Sequence, residues 1–439
     1  MKRTILLAGF ALATLVSLPS AAQDPSGRRS LPALPQPTTV TQISSNMVEF
    51  YYLVTTGSGQ YDHIGLHRVT LVDKKGNPKP SDDAVLMLHG DVWPFDGAFF
   101  RGISRDSIAA YLAAQGVDVW GIDLAWTLVP STENNFTFMA NWGMAHDITD
   151  TETALTFARS VRSQTGSDGG QLTLLGWSRG GFLGYGLLDQ ESQQSCNQRQ
   201  VKAYISVDNF YKTDSPESQA NMCAAEAAVD QELANGVYNT DFTIYRTVGD
   251  YAIQAPDSTS PPDLCDTPFT NLTCSLAQAT DYSNFVTPYY HFAAGYFANN
   301  DYQSGVPNGL AYTNPGRLNA LWVGVGSYEN LRMLAETYSV TCGDDPSLPF
   351  DKHLGDIKVP VHYVGAGGGF GSYGLYTLSL LGSKDVTHHI ISFYPPPQQA
   401  LDFGHVDLFY ADDAQDLVWE DILDFLQKHS HQANGKCNN

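Results

Sequence analysis

The chain has 439 residues, 46 acidic against 24 basic side chains, and a formal charge of −22 at pH 7. That length accommodates one large domain with an inserted subdomain, and a surface this acidic disfavours nucleic acid and anionic lipid as partners. Beyond the N-terminus no segment has the roughly 20 consecutive apolar residues of a membrane helix, so no stable membrane anchor is expected.

Residues 1–22 read as a secretion signal. Lys2 and Arg3 give the positive start, the apolar run 5–18 is too short to span a bilayer, and Ser20-Ala21-Ala22 offers small residues for cleavage after Ala22. The expected location is secreted or periplasmic. Residues 23–45, rich in Pro, Ser, Thr and Gln, read as a poorly ordered leader. Six cysteines follow, an even number that in an exported chain implies up to three disulfides. Cys265–Cys274 is the plausible local bridge, and the remaining pairings are not readable. No cysteine or histidine spacing matches a zinc site. Asn135-Phe136-Thr137 and Asn271-Leu272-Thr273 are glycosylation sequons.

In chain order, 48–54 and 65–72 read as two antiparallel strands, 84–88 as a short buried strand ending at His89-Gly90, and 103–115 as a helix stopped by Gly116. A strand at 117–124, an amphipathic helix at 149–163 and a further strand run into Gly176-Trp177-Ser178-Arg179-Gly180. A helix-like run, 182–188, leaves that motif, and 201–207 is the next strand, ending at Asp208. The strand–helix rhythm then stops. Residues 210–356 are rich in Tyr, Phe, Asn, Asp and Pro, hold four of the cysteines, and read as an inserted lid with helices at 220–234 and 317–339. The rhythm resumes with strands at 359–364 and 386–393 and a helix at 413–428. The core is therefore 46–209 with 357–432. Alternating strands and helices imply a mostly parallel sheet with helices on both faces.

A G-x-S-x-G between strand and helix is the context of a nucleophile elbow, a turn that presents the serine hydroxyl above the sheet. The fold expected is α/β, specifically an α/β-hydrolase fold with a large inserted lid, and Ser178 is the candidate nucleophile. Serine needs a base, and the base needs an orienting acid. His405, in a loop after the last strand, is the candidate base. One oxyanion N–H should come from Arg179, after the nucleophile, and another from Asp91, whose carboxylate is expected to turn aside toward Arg179 or Arg101. Trp93 and Phe95, with Tyr289, Tyr290 and Phe292 of the lid, are candidate substrate-lining residues implying an apolar or aromatic substrate. Gly369-Phe370-Gly371-Ser372-Tyr373-Gly374 matches G-x-G-x-x-G, but it lies late in the chain and lacks the acidic residue a ribose contact needs. It reads as a loop permitting close backbone approach beside the site.

His89-Gly90, the serine motif and Gly404-His405-Val406-Asp407-Leu408-Phe409-Tyr410 together resemble the gastric/lysosomal acid lipase branch of the α/β hydrolases. The resemblance covers about 84–208 and 358–428. It implies ester hydrolysis without cofactor or metal. One departure stands out: the branch carries its triad acid after the penultimate strand, where this chain reads Gly365-Ala366-Gly367-Gly368-Gly369-Phe370-Gly371, with no carboxylate. Other α/β hydrolases place the acid one strand earlier, at the position Asp208 occupies. Asp208 is the candidate acid, with Asp385, Asp402 and Asp407 as alternatives. The expected function is a secreted serine esterase acting on a small-molecule ester. The same machinery on an amide, lactone or polyester bond is the alternative chemistry, and a non-catalytic binding protein on this scaffold the alternative class. Oligomeric state is not readable.

Overall fold

A computed structural model describes residues 34–101, 104–265, 268–282, 287–343 and 347–430. The expected signal segment and the first part of the leader lie outside these residues. The last part of the leader is ordered, contrary to expectation. Strand β1 (Thr39–Ser44) pairs antiparallel with β2 (Met47–Thr55), which pairs antiparallel with β3 (His63–Leu71). As an edge strand, β1 leaves its side chains exposed or half-buried, so it carries no alternating apolar pattern to read.

The core continues through β4 (Ala84–Leu88), α1 (Phe95–Phe99), α2 (Ile108–Ala114), β5 (Asp118–Asp123), α3 (Met144–Gln164), β6 (Leu172–Trp177), α4 (Arg179–Ser192) and β7 (Val201–Val207). Helix α2 starts five residues later than expected because Ser107 caps it, its hydroxyl accepting the Ala110 N–H. The helix stops as expected, with Gly116 at φ 91.

The insertion follows β7. It comprises α5 (Pro216–Ala234), β8 (Asn239–Asp241), α6 (Thr243–Gln254), α7 (Asn271–Thr280), β9 (Gly295–Phe297), β10 (Pro307–Leu310), α8 (Pro315–Val323), β11 (Tyr328–Asn330) and α9 (Leu331–Cys342). The single helix expected at 317–339 is two helices. Gly324 and Gly326 break it, the Gly326 N–H turning to Val92 O at 2.5 Å, and β11 then pairs with β8. Cys265 and Cys274 form a disulfide, and a second, Cys223–Cys342, ties α5 to α9. Asn271, the second sequon, is buried and donates to Ala255 O at 2.8 Å. The chain closes with β12 (Val361–Ala366), α10 (Gly374–Ser379), β13 (Val386–Ile391), α11 (Asp407–Tyr410) and α12 (Glu420–Lys428).

Among the described residues nine strands form one sheet, in the order β1-β2-β3-β5-β4-β6-β7-β12-β13. From β5 across to β13 every pairing is parallel. Apolar layers cover both faces. After β4 the chain crosses to β5 on one side, then returns to lay β6 on the other. The carboxyl ends of β4 and β6 therefore flank a topological switch point, where open parallel sheets form their ligand crevices. Among the described residues no helix is long and apolar enough to cross a membrane.

Candidate active site

Ser178 follows the last residue of β6 and precedes the first of α4, with φ 55 and ψ −125. A non-glycine residue in this region is strained and needs its surroundings to hold it. Here the Ser178 N–H donates to Val207 O at 2.9 Å. A Cβ at Gly176 would sit 2.3 Å from Gly180 O, and one at Gly180 would sit 2.3 Å from Leu88 O. The turn closes only because both positions are glycine.

His405 Nδ1 lies 2.6 Å from Asp208 Oδ2, and both side chains are buried. With a carboxylate as acceptor, the Nδ1–H donates and Nε2 keeps its lone pair. The imidazole stacks on Trp177 with 4.9 Å between ring centroids, and its backbone N–H donates to His291 O at 3.1 Å. Asp208, at the end of β7 with φ 43, receives three more hydrogen bonds on Oδ1, from the N–H groups of Ala366, Phe370 and Gly371 at 2.9, 3.1 and 3.0 Å. A Cβ at Gly369 would lie 2.0 Å from Asp208 Oδ2. The glycine-rich loop is thus the clamp around the Asp208 carboxylate.

The other carboxylates hold loops. Asp402 accepts the Phe393 and Phe403 N–H groups and the Ser392 hydroxyl. Asp407 accepts the Gly404 and Ala294 N–H groups and the Thr313 hydroxyl, fixing the turn on which His405 stands. Asp385 is partly exposed and pairs with Lys428.

On the opposite side of the serine, Gly90 packs so closely that a Cβ there would meet Ser178 Cβ at 2.8 Å. His89 Nε2 accepts the Leu124 N–H, so its Nδ1–H donates to Gly90 O at 2.8 Å. Burial pushes the His89 pKa down and keeps this neutral tautomer. The Asp91 carboxylate forms a bidentate ion pair with Arg179, while Arg101 bonds instead to Asp106 and to the Phe409 carbonyl.

Two cavities meet at Ser178. The larger, about 230 Å³, is lined by Phe182, Phe210, Met222, Tyr290, Tyr338 and Phe370. The smaller, about 150 Å³, holds His405 and is lined by Trp93, Trp177, Phe242, Tyr245, Phe292 and Trp322. Trp93, Tyr290 and Phe292 are therefore at the site. Phe95 is not: it is fully buried in the core, its ring stacked on His67 with 4.7 Å between centroids and filling the space left by Gly121. Tyr289 is not either; its ring packs with Tyr282 and Tyr302, apart from both cavities. Sequence reasoning missed Phe210, Phe242, Tyr245, Trp322, Tyr338 and Phe370. Phe210 and Phe370, each within two residues of the acid or its clamp, had a signal in their position; the insertion aromatics had none.

No family model and no curated protein matches this chain. Among solved structures, a candidate lipase from Sulfolobus solfataricus is similar over 87% of this chain and 95% of its own, at 19% identity and a TM-score of 0.58. The fold is that of the α/β hydrolases. A soluble variant of monoglyceride lipase from Saccharomyces cerevisiae, in complex with a substrate analogue, is similar over 90% of this chain and 99% of its own, at 14% identity and a TM-score of 0.49.

Proposed function

We propose that this protein is an exported serine hydrolase that cleaves carboxylic esters through an acyl-enzyme on Ser178. The observation that carries the reading is the 2.6 Å contact between His405 Nδ1 and Asp208 Oδ2, with the imidazole and Ser178 lining one cavity. Ser178 Oγ attacks the ester carbonyl carbon while His405 Nε2 takes its proton. The N–H groups of Asp91 and Arg179 stabilise the negative oxygen. As the carbon–oxygen bond breaks, His405 returns the proton to the departing alcohol. Water, deprotonated by His405, then attacks the acyl carbon and releases the acid with Ser178 restored.

Because the base must reach the leaving oxygen, the His405 cavity takes the alcohol and the larger cavity the acyl group. Both are lined by aromatic and apolar side chains, which supports an ester apolar or aromatic on each side. Residues 210–356 act as a lid, contributing Met222, Tyr245, Phe292, Trp322 and Tyr338 to these walls. The test is hydrolysis of nitrophenyl esters of increasing acyl length, by the protein and by Ser178→Ala. Activity that vanishes in the mutant is expected. Turnover that survives Ser178→Ala, or a folded protein inert on every ester, would refute the proposal.

A further inference from the structure

The two residues assigned above as oxyanion donors sit on separate elements, the loop after β4 and the start of α4. Their side chains bond to each other: Arg179 Nη2 donates to Asp91 Oδ2 at 2.9 Å, and Arg179 Nε to Oδ1. The insertion reaches this pair from a third side. The Trp93 indole N–H donates to Leu321 O at 2.9 Å, and the Gly326 N–H donates to Val92 O at 2.5 Å. Glu329, on β11 and 1% exposed, places Oε1 3.3 Å from Arg179 Nε. The stretch 321–329 thus grips the loop 91–93 at two points and the ion pair at a third.

We infer that Glu329 is a positioning residue through which the insertion sets the oxyanion hole, acting on the Asp91–Arg179 pair. This rests on the esterase reading given above. Two carboxylates against one guanidinium leave a surplus negative charge, on the buried Glu329 or the half-buried Asp91, unless one is protonated. Burial, then the neighbouring Asp91 charge, push the Glu329 carboxyl well above its usual range. Burial opposes the Asp91 charge, but Arg179 and the Glu329 proton outweigh it and hold Asp91 below its usual range. The direction of these shifts makes Glu329 the carboxyl of the two that holds its proton, with Oε1 against Arg179 Nε. The other groups facing it are Asp147 of α3 and Tyr338 of α9, and His405 faces Asp91. Losing the Glu329 proton adds a second negative charge beside Asp91, drives the two carboxylates apart, and draws the Asp91 N–H out of position.

The experiment measures kcat and KM on a nitrophenyl ester across pH for the protein, Glu329→Gln and Glu329→Ala, with Ser178→Ala as control. Gln keeps a neutral side chain of the same shape and cannot ionise. Glu329→Gln is expected to hold kcat within about twofold at acid pH and to lose the alkaline decline of the parent. Glu329→Ala is expected to lower kcat by about tenfold or more with KM nearly unchanged, a fraction of the effect of deleting an oxyanion donor. Identical pH profiles for the parent and Glu329→Gln would overturn the assignment, and if Glu329→Ala fails to fold that comparison alone decides. Unchanged kcat in a folded Glu329→Ala would also overturn it. A parent inert on esters would overturn the esterase reading and this inference together. An active, Ser178-dependent parent matched by both Glu329 variants would overturn only this inference.

Discussion

Asp208 accepts four hydrogen bonds, three from the backbone of the glycine-rich loop and one from His405. Oδ1 is anchored to the loop and Oδ2 holds one imidazole tautomer, the arrangement the proposed mechanism asks of its acid. Asp208→Asn is expected to retain the fold and lower kcat by about 10⁴-fold, because the amide favours the wrong tautomer; ester turnover with circular dichroism checks it. Asp402→Asn, which touches no residue of the serine–histidine pair, is expected instead to lower unfolding stability by about 1–3 kcal/mol through loss of buried charge-assisted acceptors, read by denaturant titration. Ser178 and His405 were visible as candidates because each sits in a local pattern, an elbow motif and a loop before the terminal helix. Asp208 was visible only as a strand-end position. That the carboxylate-free loop is its clamp was not, since backbone N–H groups leave no residue signature.

Helix α5 buries only Ser218 and Met222 of its own residues, and Met222 lines the larger cavity. Its packing on α9 is mostly half-buried, and the Cys223–Cys342 disulfide, closing a loop of 119 residues, ties it there. Chain entropy assigns such a loop about 4–5 kcal/mol. Cys342→Ser is expected to lower the melting temperature and to expose 216–234 to limited proteolysis before the sheet core is cut. Core strands were legible because buried parallel strands are continuous apolar runs. The insertion was not. Its helices depend on a disulfide and on contacts with the core, and the glycines at 324 and 326 divide an apolar run that reads as one helix.

Across the molecule, several buried acids hold their protons more tightly than they would in an unfolded chain. Burial pushes Asp150 and Glu191 up to about 7 and Asp189 to about 6. Burial opposes the charged form of His67, but Asp123 and Glu49 outweigh it and raise the ring to about 10. Each of these groups binds more protons folded than unfolded. The stability the carboxyls contribute is therefore lost as pH rises from about 4 to about 7, and that of His67 from about 6.5 to about 10. In the other direction, Asp118 is buried but bonded by Arg68 and Arg162, which hold it below its usual range, so its contribution is lost only in stronger acid. A net charge of −22 adds self-repulsion as the remaining acids ionise. The melting temperature is expected to be higher at pH 5 than at pH 8. A calorimetric scan showing the reverse would contradict this balance.

The sequence by itself determined the α/β layering, the elbow and the candidate serine and histidine, because these rest on local periodicity and on glycines that no other residue can replace. Only the tertiary structure decided which carboxylate faces His405, which aromatic rings reach the cavities, and that Glu329 stands against Arg179. Those are contacts between segments far apart in the chain, and in the insertion no repeating pattern of burial marks in advance which face of a segment turns inward.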